Sequence, residues 1–148
     1  TIEGSLPHDR SAELSWLATT DIGDGELLLF RFKASNGMGG EGHFSPRPYK
    51  GLNLKDAQIA TDIQINGSEL TLSFSSKRLA LFVVPECDEE GHFSDSAFLL
   101  VPGQTKQVKF AAANHETAQR AAKSLVIRDL FSSFSGNEHD IQRAGSHP

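Results

Sequence analysis

The sequence predicts an all-β protein, a two-sheet antiparallel sandwich of about seven strands with one short helix near the C-terminal end. Three observations carry this. Apolar and polar residues alternate with period two along most of the chain, which puts every second side chain of an extended strand on one face. The alternating segments are separated by Gly, Pro, Asn and Asp turn signals. The strand-helix-strand rhythm of a parallel sheet is missing, which leaves an open barrel of similar strand number as the structural alternative.

The elements follow in chain order. Ala12, Leu14 and Trp16 alternate with Glu13 and Ser15, which predicts a first strand. Over 28–34, Leu28, Phe30, Phe32 and Ala34 are expected to face inward and Arg31 and Lys33 to face water. The glycines of Asn36-Gly37-Met38-Gly39-Gly40 read as a flexible hairpin connection. The clearest hairpin runs from Ile59 to Phe74: Ile59, Thr61, Ile63 and Ile65 alternate up to Asn66-Gly67, a pair suited to the positive φ angles of a type I′ turn. Leu70-Thr71-Leu72-Ser73-Phe74 returns with the same alternation. The continuous apolar run Leu79-Ala80-Leu81-Phe82-Val83-Val84 suits a strand covered on both faces or one near the sandwich centre, ended by Pro85 and the acidic loop at 87–91. Strands at 97–101 and 107–110 flank Pro102-Gly103, a dipeptide suited to a type II turn. Asn114 caps a helix expected over 115–123, with Glu116 near its start and Arg120 and Lys123 near its end to match the helix dipole. A last strand follows at 125–130. The organisation read from these signals is a lead-in at 1–10, one sandwich domain at 11–134 and a mobile tail at 135–148.

Composition narrows the partners. The 148 residues suit one domain with a real core, and the formal net charge of −5, with 14 scattered Lys and Arg, argues against nucleic acid. No apolar run approaches the ~20 residues needed to cross a bilayer, so no membrane partner is expected. The N-terminal residues Thr1-Ile2-Glu3-Gly4 carry no signal-peptide pattern, and no compartment is assigned. With Cys87 alone there is no intrachain disulfide, so burial and hydrogen bonding hold the fold.

The search for chemistry yields no catalytic, cofactor or metal residue. The six histidines, His8, His43, His92, His115, His139 and His147, stand apart from one another and from Cys87, without the local spacing of a zinc site. The segment 88–95 is rich in oxygen ligands but lacks the spacing of an EF-hand loop and reads as a solvated turn. Cys87 precedes three acids, whose charge disfavours a thiolate. Glycosidic cleavage needs two carboxylates across a cleft, and most of the 19 acids sit at outward strand positions or in turns. Trp16, on the inward register of its strand, reads as core rather than as a sugar platform, and the other candidate ring is Tyr49. Asn66-Gly67-Ser68 is a formal N-glycosylation acceptor that the turn already explains.

Residues 42–110 nonetheless carry an ordered series of motifs. His43-Phe44 is followed by Pro48-Tyr49-Lys50-Gly51-Leu52-Asn53-Leu54, then the 59–74 hairpin and Leu79-Ala80-Leu81-Phe82-Val83. The series ends with Phe93-Ser94-Asp95-Ser96-Ala97-Phe98-Leu99-Leu100-Val101-Pro102-Gly103 and Val108-Lys109-Phe110. This order resembles the C-terminal immunoglobulin-like domain of β-mannosidases in glycoside hydrolase family 2, and Ser11 to Leu14 and Leu125 to Phe134 are similar to its flanking strands. Ser96 stands where the family has Asn, and the Pro/Lys segment is one residue longer, so sister family-2 enzymes such as exo-glucosaminidases stay open. The resemblance implies an immunoglobulin-like sandwich from an enzyme that removes terminal β-mannose with retention, using two glutamates on a TIM barrel. That barrel has no counterpart in these residues, so no catalytic residue carries over. The expectation is therefore a non-catalytic accessory domain whose partners are neighbouring domains of its parent. A carbohydrate-binding or adhesion module, with oligosaccharide as its ligand, is the alternative.

Overall fold

The computed structural model describes residues 22, 23 and 25–135. The lead-in at 1–10, the strand expected at 12–16 and the tail from 136 onward lie outside the described residues. The chain divides into two units, Thr1–Asn53 and Leu54–Pro148. Sequence patterning predicts one sandwich over 11–134; the sandwich described below lies within the second unit.

In the first unit, β1 (Leu28–Lys33) and β2 (Gly39–Phe44) form an antiparallel hairpin with Leu28 opposite Phe44 and Lys33 opposite Gly39. Gly37 takes the positive φ of 86° that its turn requires, and Asn36 Oδ1 accepts from the Met38 amide at 3.0 Å. Gly39 and Gly40, expected in the connection, belong to β2. Arg31 and Glu41, directly opposed, form an ion pair at 3.2 Å, and His43 Nε2 meets Tyr49 Oη at 2.8 Å beside the 3-10 turn Tyr49–Gly51. The inward placement of Phe30 and Phe32 is corrected: they are 48% and 58% exposed. The alternation is real, but this sheet has two strands and no second layer among the unit's described residues.

In the second unit, alternation does produce a buried face. β3 (Ile59–Asn66) and β4 (Glu69–Ser76) pair along their whole length. Ala57 O accepts from the amides of Lys77 and Arg78 and closes the open end of the hairpin. The connecting residues are Gly67-Ser68 rather than Asn66-Gly67, because Asn66 pairs with Glu69. Gly67 has φ 61° while Ser68 is not in the left-handed region, the pattern of a type II′ turn and not the type I′ turn expected. β4 also pairs with β8 (Lys106–Ala112), and β8 with β6 (Gly91–Phe93), so the first sheet runs β3-β4-β8-β6. β6 lies inside the segment that the sequence presents as a solvated turn; three residues are too few for periodicity to reveal.

The second sheet runs β7-β5-β9, from β7 (Phe98–Leu100), β5 (Ala80–Glu86) and β9 (Val126–Arg128). β5 is central, as its continuous apolar run predicts. Ala80 pairs with Leu100 and Val83 with Phe98, so β5 carries one extra residue, and Phe82 within this bulge has φ 54°. Pro85 does not end the strand; it is buried opposite Ile127, past the last β5 residue that β7 reaches, where a missing N–H is tolerated. Between β7 and β8, Gly103 at φ 78° and the Gln104 amide donating to Val101 O form the turn at Pro102-Gly103.

The two sheets enclose one core. Leu70, Leu72, Phe74, Val108 and Phe110 from the first meet Ala80, Val83, Phe98, Leu100 and Ile127 from the second, with the Phe74 and Phe98 rings 5.3 Å apart. This is an immunoglobulin-like antiparallel sandwich. α1 (His115–Ser124) adds Ala118 and Ala121 to the core. The Asn114 side chain accepts from the Thr117 amide at 2.9 Å, the N-cap that the sequence predicts. Asn114→Ala should lower stability by about 1 kcal/mol, and Asn114→Asp should restore it, in urea midpoints measured on both variants. The terminal strand expected over 125–130 is shorter: α2 (Leu130–Ser135) follows it, entered through Asp129 and Ser132, which exchange side-chain bonds with each other's amides at 2.8 and 2.9 Å.

Candidate functional site

The richest concentration of polar chemistry in the sandwich lies where β5 leaves the core. The backbone passes from Glu86 through Cys87, Asp88 and Glu89 into β6, and β9 runs alongside. Together they border an open cleft of about 500 Å3 lined by Glu86, Asp88, Glu89, Phe93, Ser124 and Arg128, among others. The geometry is fixed from α1. Arg120 donates from Nε and Nη2 to the two carboxylate oxygens of Glu89, at 2.8 and 3.0 Å, and from Nη1 to Glu116 at 3.1 Å. Ser124 Oγ accepts from the Asp88 amide at 3.1 Å and donates to Arg120 O at 3.2 Å. Across the cleft, Arg128 Nε donates to Glu86 at 2.9 Å, tying β9 to β5.

The acid–base character follows. The Arg120 hydrogen bonds hold the Glu89 carboxyl below the usual carboxylate range; partial burial opposes this and the Arg120 charge adds to it. The Arg120 guanidinium is stabilised in turn. Partial burial, the largest influence, pushes the Cys87 thiol up, the Asp88 and Glu89 charges add to that, and the contact with Glu89 O opposes it. Sequence reasoning names only the charges. Glycoside hydrolysis asks one carboxyl to hold a proton near neutral pH. Here Arg120 holds both carboxylate oxygens of Glu89, and Arg128 pairs with Glu86 at the surface, so the two carboxylates join α1 to the loop and β9 to β5.

The fork has a pH signature. A carboxyl whose folded value lies below its unfolded value of about 4.3 stabilises the fold fully above that pH and loses the contribution as pH falls through the folded value. The stability gap between the unmodified chain and Glu89→Gln should therefore be constant above about pH 5 and close below about pH 4, in denaturant titrations repeated across pH 3–7.

The other sequence candidates are dispersed. His115 Nδ1 donates to Gly67 O at 2.9 Å, His43 is bonded to Tyr49, and His92 is exposed on β6. Among the described residues, no group of three or more His, Cys, Asp or Glu could hold a metal ion. Asn66 is exposed at the end of β3. His8, Trp16, His139 and His147 lie outside the described residues. The Glu89–Arg120 fork escapes sequence reasoning. The i,i+4 spacing of Glu116 and Arg120 is legible in the sequence, but a pair 31 residues apart is not.

Residues 54–133, just over half of the chain, match the mannosidase Ig-fold domain family, and the match starts at the boundary between the two units. The chain belongs to this family. The mannosidase Ig-fold domain thus takes in both sheets, α1 and most of α2. A stretch of 94 residues, 62% of the chain, is 28% identical to Beta-mannosidase A of Aspergillus terreus (strain NIH 2624 / FGSC A1156). The aligned part is 10% of that protein, so the chain spans only a small fraction of the curated relative it matches.

Proposed function

We propose that this mannosidase Ig-fold domain is a non-catalytic accessory domain of a β-mannosidase-like glycoside hydrolase of family 2, packing against and stabilising the catalytic TIM barrel of its parent. The alignment with one tenth of Beta-mannosidase A carries the reading: it ties the domain to a much longer polypeptide named for hydrolysing β-mannosides. The Glu89 carboxyl, held below the usual carboxylate range by its Arg120 hydrogen bonds, is not poised to donate a proton near neutral pH, which supports the non-catalytic role.

The test compares three proteins on an aryl β-mannoside: the 148-residue protein, its parent, and the parent with residues 54–135 deleted. No turnover by the 148-residue protein, with faster thermal inactivation of the deleted parent, is the expected result. Turnover by the short protein, or inactivation unchanged by the deletion, overturns it. Calorimetric titration of the same short protein with mannan oligosaccharides belongs beside these assays, since saturable binding without turnover would make this a carbohydrate-binding module.

A further inference from the structure

The sandwich has four sheet edges, and three of them are short: β6, β7 and β9 have three residues each, against eight in β3. A long open edge is a template for another strand, and proteins blunt such edges with Lys, Pro or a bulge. β3 has no Lys, Arg or Pro, its register with β4 is unbroken, and among the described residues no other strand pairs with it. Its backbone groups divide by alternation. Asn66 and Glu69 flank the two-residue turn and so bond each other. Gln64, Asp62 and Ala60 then turn their N–H and C=O groups toward β4, while Thr61, Ile63 and Ile65 turn theirs to the open edge. The bond from the Ala112 amide to Ser68 O, at 2.9 Å, fits the same alternation on the far side of β4. Side chains divide too: Asp62 and Gln64 are exposed on the outer face. Ile63, partly buried against the core, and Ile65, 37% exposed, lie on the inner face beside the edge.

We propose that β3 is a self-association edge: two copies of this chain pair their β3 strands antiparallel about a two-fold axis at Ile63, which joins their β3-β4-β8-β6 sheets into one. The strand's own pattern chooses a second copy as the occupant. An axis at Ile63 sets Ile63 opposite Ile63 and Thr61 opposite Ile65, so outward N–H and C=O groups meet outward ones, and the half-exposed isoleucines gain apolar neighbours. On the solvent face the same axis sets Asp62 opposite Gln64, a carboxylate facing an amide donor. The adjacent registers fit less well. An axis at Asp62 faces that carboxylate with its own copy, and like charges directly opposite destabilise a ladder. Axes at Thr61 or Gln64 shorten the overlap below the run from Ala60 to Asn66 that the Ile63 axis pairs. The inference stands apart from the proposed function and needs no mannosidase activity.

Sedimentation equilibrium of the 148-residue protein, with amide exchange followed by NMR over the same concentrations, tests it. A reversible dimer is expected, and the Thr61, Ile63 and Ile65 amides should slow as it forms while those of Asp62 and Gln64 stay protected throughout. Gln64→Asp, which sets two carboxylates face to face twice over, should weaken the dimer about threefold or more, and Gln64→Lys should tighten it. Ile65→Lys, an inward-facing charge at the edge, should abolish it. Positions 64 and 65 are exposed, so thermal melts of the variants should match the unmodified protein; if the lysine at 65 unfolds the sandwich, the pair of substitutions at 64 still decides. A monomer at concentrations up to about 1 mM overturns the proposal. So does concentration-independent protection of the 61, 63 and 65 amides, which places the covering strand within the chain itself. A dimer indifferent to all three substitutions forms through another surface, and one lost only in Ile65→Lys has its axis away from Ile63; both overturn it.

Discussion

Phe74→Ala is expected to lower the stability of the sandwich by about 3–5 kcal/mol, the usual cost of truncating a fully buried phenylalanine. Phe74 has no exposed surface, lies on β4 in the middle of the first sheet, and packs its ring on Phe98 of the second. Alanine would remove the ring and leave a cavity walled by both sheets, which neither can close without breaking a ladder. For a domain of this size the melting temperature should fall by more than about 12 °C. Phe74→Leu, which keeps most of the volume, should recover at least half of the loss. Circular dichroism melts of the three proteins decide the matter; a fall of only a few degrees for the alanine variant would mean that the sheets do not meet at Phe74.

Gly91→Val should be the other severe substitution, although Gly91 is an exposed residue on an edge strand. A Cβ there would stand 2.2 Å from the Phe110 ring and 2.6 Å from Ala111 O, closer than any relaxed contact. Phe110 is itself buried and packs against the tilted ring of Phe93, with ring centroids 4.7 Å apart and planes inclined by 45°, so it has little room to withdraw. The side chain must push β6 off β8 or drive Phe110 out of its rotamer, at a cost of about 1–3 kcal/mol or more. Phe110→Leu combined with Gly91→Ala should be less destabilised than the sum of the two single changes, because the shortened side chain vacates the space that the new Cβ needs. Urea unfolding of the singles and the double supplies the cycle; strict additivity would show that the Phe110 ring is not what excludes a side chain at 91.

Local signals in the sequence determined much of the molecule. Period-two alternation in 59–74 fixed the faces of β3 and β4, the unbroken apolar run of β5 announced a strand covered on both sides, and Asn114 marked the start of α1 to the residue. These are legible because each is decided within a few residues, by backbone sterics, side-chain alternation or one capping bond. The ordered motifs from 42 to 110 likewise pointed to the mannosidase Ig-fold domain that the family match establishes over 54–133.

Tertiary structure decided the rest. The type II′ turn at Gly67-Ser68 depends on register, which places Asn66 opposite Glu69. β6 exists because β8 offers it an edge, Pro85 fits within β5 because β7 stops short of it, and Glu89 meets Arg120 because the sandwich folds α1 back against the loop. The same alternation that buries Leu70, Leu72 and Phe74 leaves Phe30 and Phe32 exposed. An alternating pattern states which face of a strand is apolar, but only a second layer can bury that face, and that layer comes from residues distant in the sequence or outside it.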